Sequence, residues 1–211
     1  MTKPGAHNRL IVLEVNAALR PLGLRQMGRA RLWYDDRGDS VILVEFQSHK
    51  NTPGTYLNVG VCWLWRPQEY FTFDFGHRIG EFTPFVDEES FVPSLRNKVG
   101  EAVDALQRYR EMLQSPAATA DALTRLPLVE RSAHKLFNAA IASAIAGRWD
   151  TARQLADKIR DCADGPPSFR DPVFALHELA QSLVDTPERF RGALDEVVAD
   201  SRASLKLPPR T

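Results

Sequence analysis

Residues 40–65 read SVILVEFQSHKNTPGTYLNVGVCWLW, and the alternation within them decides the fold. A strand points successive side chains to opposite faces. Over 40–48, Ile42, Val44 and Phe46 therefore share one face, and Leu43, Glu45 and Gln47 share the other. Residues 51–54 carry Pro53 and Gly54 and predict a turn. Over 55–65, Leu57, Val59, Val61, Trp63 and Trp65 form an apolar face opposite Tyr56, Asn58, Gly60 and Cys62. Two alternating runs joined by a short turn predict antiparallel neighbours.

The pattern extends in both directions. Residues 31–35 hold Leu32, Trp33 and Tyr34 and lead into the turn Asp36-Arg37-Gly38-Asp39, which predicts a strand before the quoted pair. Residues 70–75 place Phe71, Phe73 and Phe75 on one side and predict a fourth strand. Upstream, Leu10, Leu13 and Ala17 repeat at helical spacing over 7–22, and Pro21 and Gly23 close that helix. A one-sided sheet needs a cover, and this helix is positioned to supply it.

Beyond Pro93 the period changes. Val99, Val103, Leu106, Arg110 and Leu113 form one helical stripe that stops at Ser115-Pro116. A short helix over 119–125 follows, then helices over 132–146, 151–162, 172–184 and 187–205. Their breaks fall at Gly147, Gly165-Pro166-Pro167 and Thr186-Pro187, where Thr186 suits an N-cap and Pro187 a first helical position. The expected class is α+β: an N-terminal helix, a four-stranded antiparallel sheet, a long helix, then an all-helical C-terminal part. The expected domains are 1–115 and 116–211, joined around 116–131, with 208–211 a frayed tail.

Composition narrows the function classes. Of 211 residues, 44% are hydrophobic and 26% charged, with 27 basic side chains balancing 27 acidic ones. The balance holds within 1–90, where 10 basic residues meet 11 acidic ones. Neither half has the cationic excess of a protein that tracks phosphates, so nucleic acid is disfavoured as a partner. Apolar runs of about six residues fall far short of the roughly 20 that cross a bilayer. The N-terminus lacks the apolar core of a signal peptide, and Cys62 and Cys162 form no CxxC pair. A cytoplasmic location without membrane attachment is the expectation.

Residues 21–23 (Pro-Leu-Gly), 31–34 (Arg-Leu-Trp-Tyr), 45–48 (Glu-Phe-Gln-Ser), 56–61 (Tyr-Leu-Asn-Val-Gly-Val) and 78–80 (Arg-Ile-Gly) carry a resemblance. Over about residues 7–125 the chain resembles the bacterial domain of unknown function 4304 family. That resemblance implies a fold and no assigned chemistry. Ala142, Gly147-Arg148-Trp149-Asp150 and Ala152 are similar to the junction of a tetratricopeptide-type hairpin, although no second copy follows at the period of that repeat.

Catalytic signatures are sparse. His7, His49, His77, His134 and His177 show no metal-ligand spacing, and Gln181 stands where a zincin motif begun by His177-Glu178 needs its second histidine. Cys162 ends a predicted helix, where the dipole opposes a thiolate. No GxGxxG, Walker or GxSxG motif occurs. No metal, cofactor or catalytic residue is assigned, and the balance leans away from an enzyme.

What stands out is a polar strip: Glu45 and Gln47 on one strand, Asn58 on the next, and His77 and Arg78 after the fourth. Facing side chains on adjacent strands lie about 5 Å apart, so Glu45 and Asn58 can meet. In the bland account the strip is the solvated side of a one-sided sheet, with Arg78 in an ion pair with Glu45 or Asp74. The functional account has two forms. One is a binding module that recognises a protein partner through the strip, with Trp65 and Arg66 as an exposed anchor. The alternative is a hydrolase or transferase that uses Glu45 as acid–base and His77 and Arg78 as substrate contacts, which requires Glu45 and His77 to converge.

Overall fold

The computed structural model describes residues 5–125, 132–164 and 166–210. Residues 126–131 of the expected junction, Gly165 of an expected helix break and Thr211 of the expected tail lie outside the described residues. The chain divides into two compact units, Met1–Cys62 with Phe71–Tyr109, and Trp63–Tyr70 with Arg110–Thr211.

The first unit begins with α1 (Ala6–Leu19), followed by β1 (Arg25–Gln26), β2 (Leu32–Asp36), β3 (Ser40–Gln47), β4 (Gly54–Trp63), β5 (Phe75–Pro84) and α2 (Glu88–Met112). The class is α+β as expected, and the strands form one antiparallel sheet in the order β1-β2-β3-β4-β5. The sheet has five strands and not four. A two-residue strand, β1, pairs Arg25 with Tyr34 ahead of the expected first strand. The last strand is Phe75–Pro84, downstream of the expected 70–75.

One face of the sheet is closed by the two helices. Trp33 pairs with Val44, is fully buried, and donates its indole N–H to Asn16 Oδ1 of α1 at 2.9 Å. The α1 side chains that bury are Leu10, Ile11, Val15 and Leu19; Leu13 and Ala17 of the expected stripe are exposed. Tyr109 of α2 packs edge-on against Phe75 and donates its hydroxyl to Val59 O at 3.4 Å. The helices are tied to each other by Arg96, which holds Glu14 through both Nε and Nη2.

One end of the second face is covered from within this unit. Residues 71–74, expected in a strand, cross this face instead: Phe71 stacks on Tyr34 and Thr72 lies 3.7 Å from Cys62 Sγ. A Cβ on Gly60 would meet the Phe73 ring at 3.1 Å, so glycine is what lets this segment lie close. The other end of the face carries the polar strip.

β5 departs from regular pairing. Thr55 is opposite Thr83 but Leu57 is opposite Ile79, a bulge that holds Gly80 at φ 60. The ammonium of Lys98 on α2, 6% exposed, donates to Ile79 O and Glu81 O across the bulge.

The second unit is built on helices α3 (Pro116–Thr124), α4 (Ala133–Ile145), α5 (Trp149–Ile159), α6 (Pro167–Val184) and α7 (Pro187–Ser204). α4 is alanine-rich and buried nearly all round. Gly147, at φ 74, turns the chain so that α5 packs back on it, and Arg148 of that turn ion-pairs with Asp121. Trp65 and Arg66, expected as an exposed anchor, belong to this unit. Trp65 is 2% exposed, stacks on Trp63 at 4.4 Å, and donates to Asn138 Oδ1 at 2.9 Å. Its indole N–H is satisfied by a buried amide, so it cannot act as a surface contact. Among the described residues no helix is long and apolar enough to cross a membrane.

Candidate functional site

Four residues of the strip converge. Asn58 lies opposite Arg78 across β4 and β5, which places both side chains on the second face. The Asn58 amide donates to Glu45 Oε2 at 2.9 Å and to Gln47 Oε1 at 3.1 Å. Its carbonyl oxygen accepts from Arg78 Nε at 3.3 Å, and Arg78 Nη2 donates to Gln47 Oε1 at 2.7 Å. The network spans three strands, and Arg78 is tied to the two amides in place of the ion pair with Glu45 or Asp74. Among the described residues Glu45 Oε1 and Arg78 Nη1 have no hydrogen-bond partner, so the surface offers one anionic acceptor and one cationic donor.

An aromatic cluster flanks this network. The Arg78 guanidinium sits over the Tyr56 ring, 3.9 Å from its centre. Tyr56 in turn meets Phe82 at 4.8 Å, and His49 lies 6.2 Å from Tyr56 and 5.6 Å from Phe82. Tyr56, Phe82 and His49 were not among the expected site residues. Tyr56 was legible, since it alternates onto the same face as Asn58. Phe82 was hidden by the misplaced last strand.

His77 does not join them. It pairs with Val59, on the face opposite Asn58 and Arg78. Glu45 bonds Asn58, so Glu45 and His77 lie on opposite faces of the sheet. The pairing of Glu45 with His77 for proton transfer is thereby excluded. The expectation sets His77 and Arg78 after the last strand, whereas both lie within β5, where neighbouring side chains must diverge.

No family model, curated protein or solved structure matches the chain.

Arg31 is partly buried, and burial pulls its pKa down while the nearby Glu45 charge opposes that shift. Its Nη1 donates to Gly54 O at 3.2 Å, and its buried Nη2 has no hydrogen-bond partner. A cavity of about 280 Å³ lies along the β3–β4 turn, lined by His7, His49 and Lys50 among others. Burial, and then the Arg31 charge, lowers the pKa of His7 and favours its neutral imidazole. Among the described residues no group of His, Cys, Asp and Glu is arranged to hold a metal ion.

Proposed function

We propose that this chain is a non-catalytic binding module that recognises a protein partner through the polar end of its second sheet face. The observation that carries the proposal is the Arg78–Tyr56 stack, held in place by Asn58 and Gln47. Arginine and tyrosine are enriched among residues that dominate protein interfaces, above all where their rotamers are fixed beforehand. A carboxylate and a guanidinium bound to the same amide, Asn58, suit the mixed polarity of a protein surface. It suits a polyphosphate backbone poorly, because Glu45 would repel it. The separation of Glu45 from His77 supports binding over catalysis.

The test is quantitative capture from the native host with tagged wild-type chain, Arg78→Glu and a control reversal on the second unit, Glu196→Arg. A protein that copurifies with wild type and with Glu196→Arg but is lost with Arg78→Glu is the expected result. Absence of any reproducible partner, or retention by Arg78→Glu, rejects the proposal. Loss of the captured material with a steep dependence on salt would point to nucleic acid instead.

We also propose membership of the domain of unknown function 4304 family for residues 7–125. Segments 31–34, 45–48, 56–61 and 78–80, which carry the resemblance, fall mostly on strands β2, β3, β4 and β5. A solved structure of an established member with a different strand order would reject this.

A further inference from the structure

The cavity of about 280 Å³ along the β3–β4 turn has none of the four residues of the polar network in its lining, and its charge is different. Among the described residues that line it, His7, His49 and Lys50 are basic and none is acidic. Ser48 and Thr52 add two hydroxyls. His49 Nδ1 accepts the Asn51 N–H at 3.3 Å, so the neutral ring carries its proton on Nε2 and keeps a donor. Lys50 is exposed, and among the described residues its ammonium has no carboxylate partner.

Behind this lining sits a partly buried cation. Arg31 Nη1 donates at 3.2 Å to the carbonyl of Gly54, itself a lining residue. Arg31 Nη2 is buried with no hydrogen-bond partner. A guanidinium donor left unfilled and out of reach of water leaves its charge poorly compensated. The carboxylate that acts on Arg31 is Glu45, and it is already bonded to Asn58. The Arg31 charge also reaches His7, where it adds to burial in favouring the neutral ring. One guanidinium is therefore felt on the α1 side of the cavity and on the turn side.

The volume lies just below the roughly 300–1,000 Å³ of sites for organic ligands, and the residues lining it carry mostly polar side chains where those sites are mostly apolar. A small ion fits both facts. Basic residues from α1 and from the turn border the same space. That suits a tetrahedral oxyanion, with acceptors spread around one centre, better than a flat carboxylate. We propose that this cavity binds a tetrahedral oxyanion of the phosphate type, held by Lys50, His49 and His7. Arg31 lies too deep to touch the ion and acts on it through its charge.

Titration of the full chain with sodium phosphate at constant ionic strength, followed by the ring resonances of His7 and His49, tests this. One saturable site is expected. Bound phosphate should raise the His7 pKa, because a nearby anion favours the imidazolium. Sodium sulfate should compete, and chloride should not. Glycerol 3-phosphate is the second probe: binding at least as tight as phosphate assigns the site to a phosphomonoester, and weaker binding assigns it to the free ion. Lys50→Glu, at an exposed turn position, should weaken phosphate at least about tenfold, the loss expected for one charge-assisted hydrogen bond. Lys158→Glu, exposed on α5, makes the same change in net charge and should bind as wild type does. No saturable shift, equal competition by chloride, an unmoved His7 pKa, unchanged affinity in Lys50→Glu, or an equal loss in Lys158→Glu overturns the proposal.

Discussion

The guanidinium of Arg78 rests 3.9 Å from the centre of the Tyr56 ring while its Nη2 donates to Gln47 at 2.7 Å. The residue is exposed, so solvent screens both interactions and neither contributes much to folding. Arg78→Lys should therefore change unfolding free energy by less than about 1 kcal/mol, measured by urea denaturation. A loss above about 2 kcal/mol would mean that Arg78 fastens the sheet and is not poised for a partner.

Asn58 connects what Arg78 presents. Removing its amide in Asn58→Leu deprives Glu45, Gln47 and Arg78 of a shared partner, at a cost of about 1–3 kcal/mol. A double-mutant cycle with Arg78→Ala should return a coupling energy of at least about 0.5 kcal/mol. Strict additivity of the two single variants would contradict the network.

Two glycines should respond to alanine with opposite signs. A Cβ on Gly60 would sit 2.6 Å from Phe75 O and 2.9 Å from Gly76 Cα, a clash with backbone that cannot move aside. Gly60→Ala should cost about 2–3 kcal/mol. Gly100 lies within α2 with nothing inside 4 Å of an added Cβ. Gly100→Ala should stabilise by up to about 1 kcal/mol, because alanine loses less backbone freedom in a helix. Thermal unfolding of both variants checks the pair.

These positions also show where residue patterning succeeds and where it stops. Glu45, Gln47 and Asn58 were legible because period-two alternation alone places them on the polar face. β5 was not. It holds two glycines, a histidine, an arginine and a glutamate, which have low strand propensity, and it forms because Gly76 and Gly60 allow close backbone approach. The alternating phenylalanines at 71, 73 and 75 imitate a strand better than the strand itself does. Trp65 escapes local reading for a different reason: its partner Asn138 lies 73 positions away, and no local pattern encodes that distance.

Asn138 is 2% exposed and accepts the Trp65 indole N–H. Asn138→Leu keeps the volume but leaves that donor buried without its acceptor. The expected loss is about 1–3 kcal/mol by chemical denaturation. A neutral result would show that the buried amide contributes nothing net to the second unit.

Burial first, and then the charge of Asp161, raises the pKa of the Cys162 thiol above its ordinary value. A raised pKa favours the thiol, so its contribution to stability is complete below the unfolded value and fades as pH rises through the folded one. At pH 7 Cys162 should react with Ellman's reagent more slowly than a free cysteine, and its rate should rise with pH and level off later than that of a free cysteine. Cys62, fully buried, should stay unreactive until the chain unfolds. A fast-reacting thiol in the native protein would contradict both assignments.

The spatial order of the five strands repeats their order along the chain. From β1 to β4 each strand therefore meets its partner across a short connection, where the entropy of closing a loop is small, and only the link from Trp63 to Phe75 is longer. Sheets with crossovers must instead hold distant segments together before any ladder forms, which slows them. Here pairing can begin at the β2–β3 or β3–β4 hairpin and spread outward one strand at a time. The polar network, which spans β3, β4 and β5, is completed only when the last strand has docked.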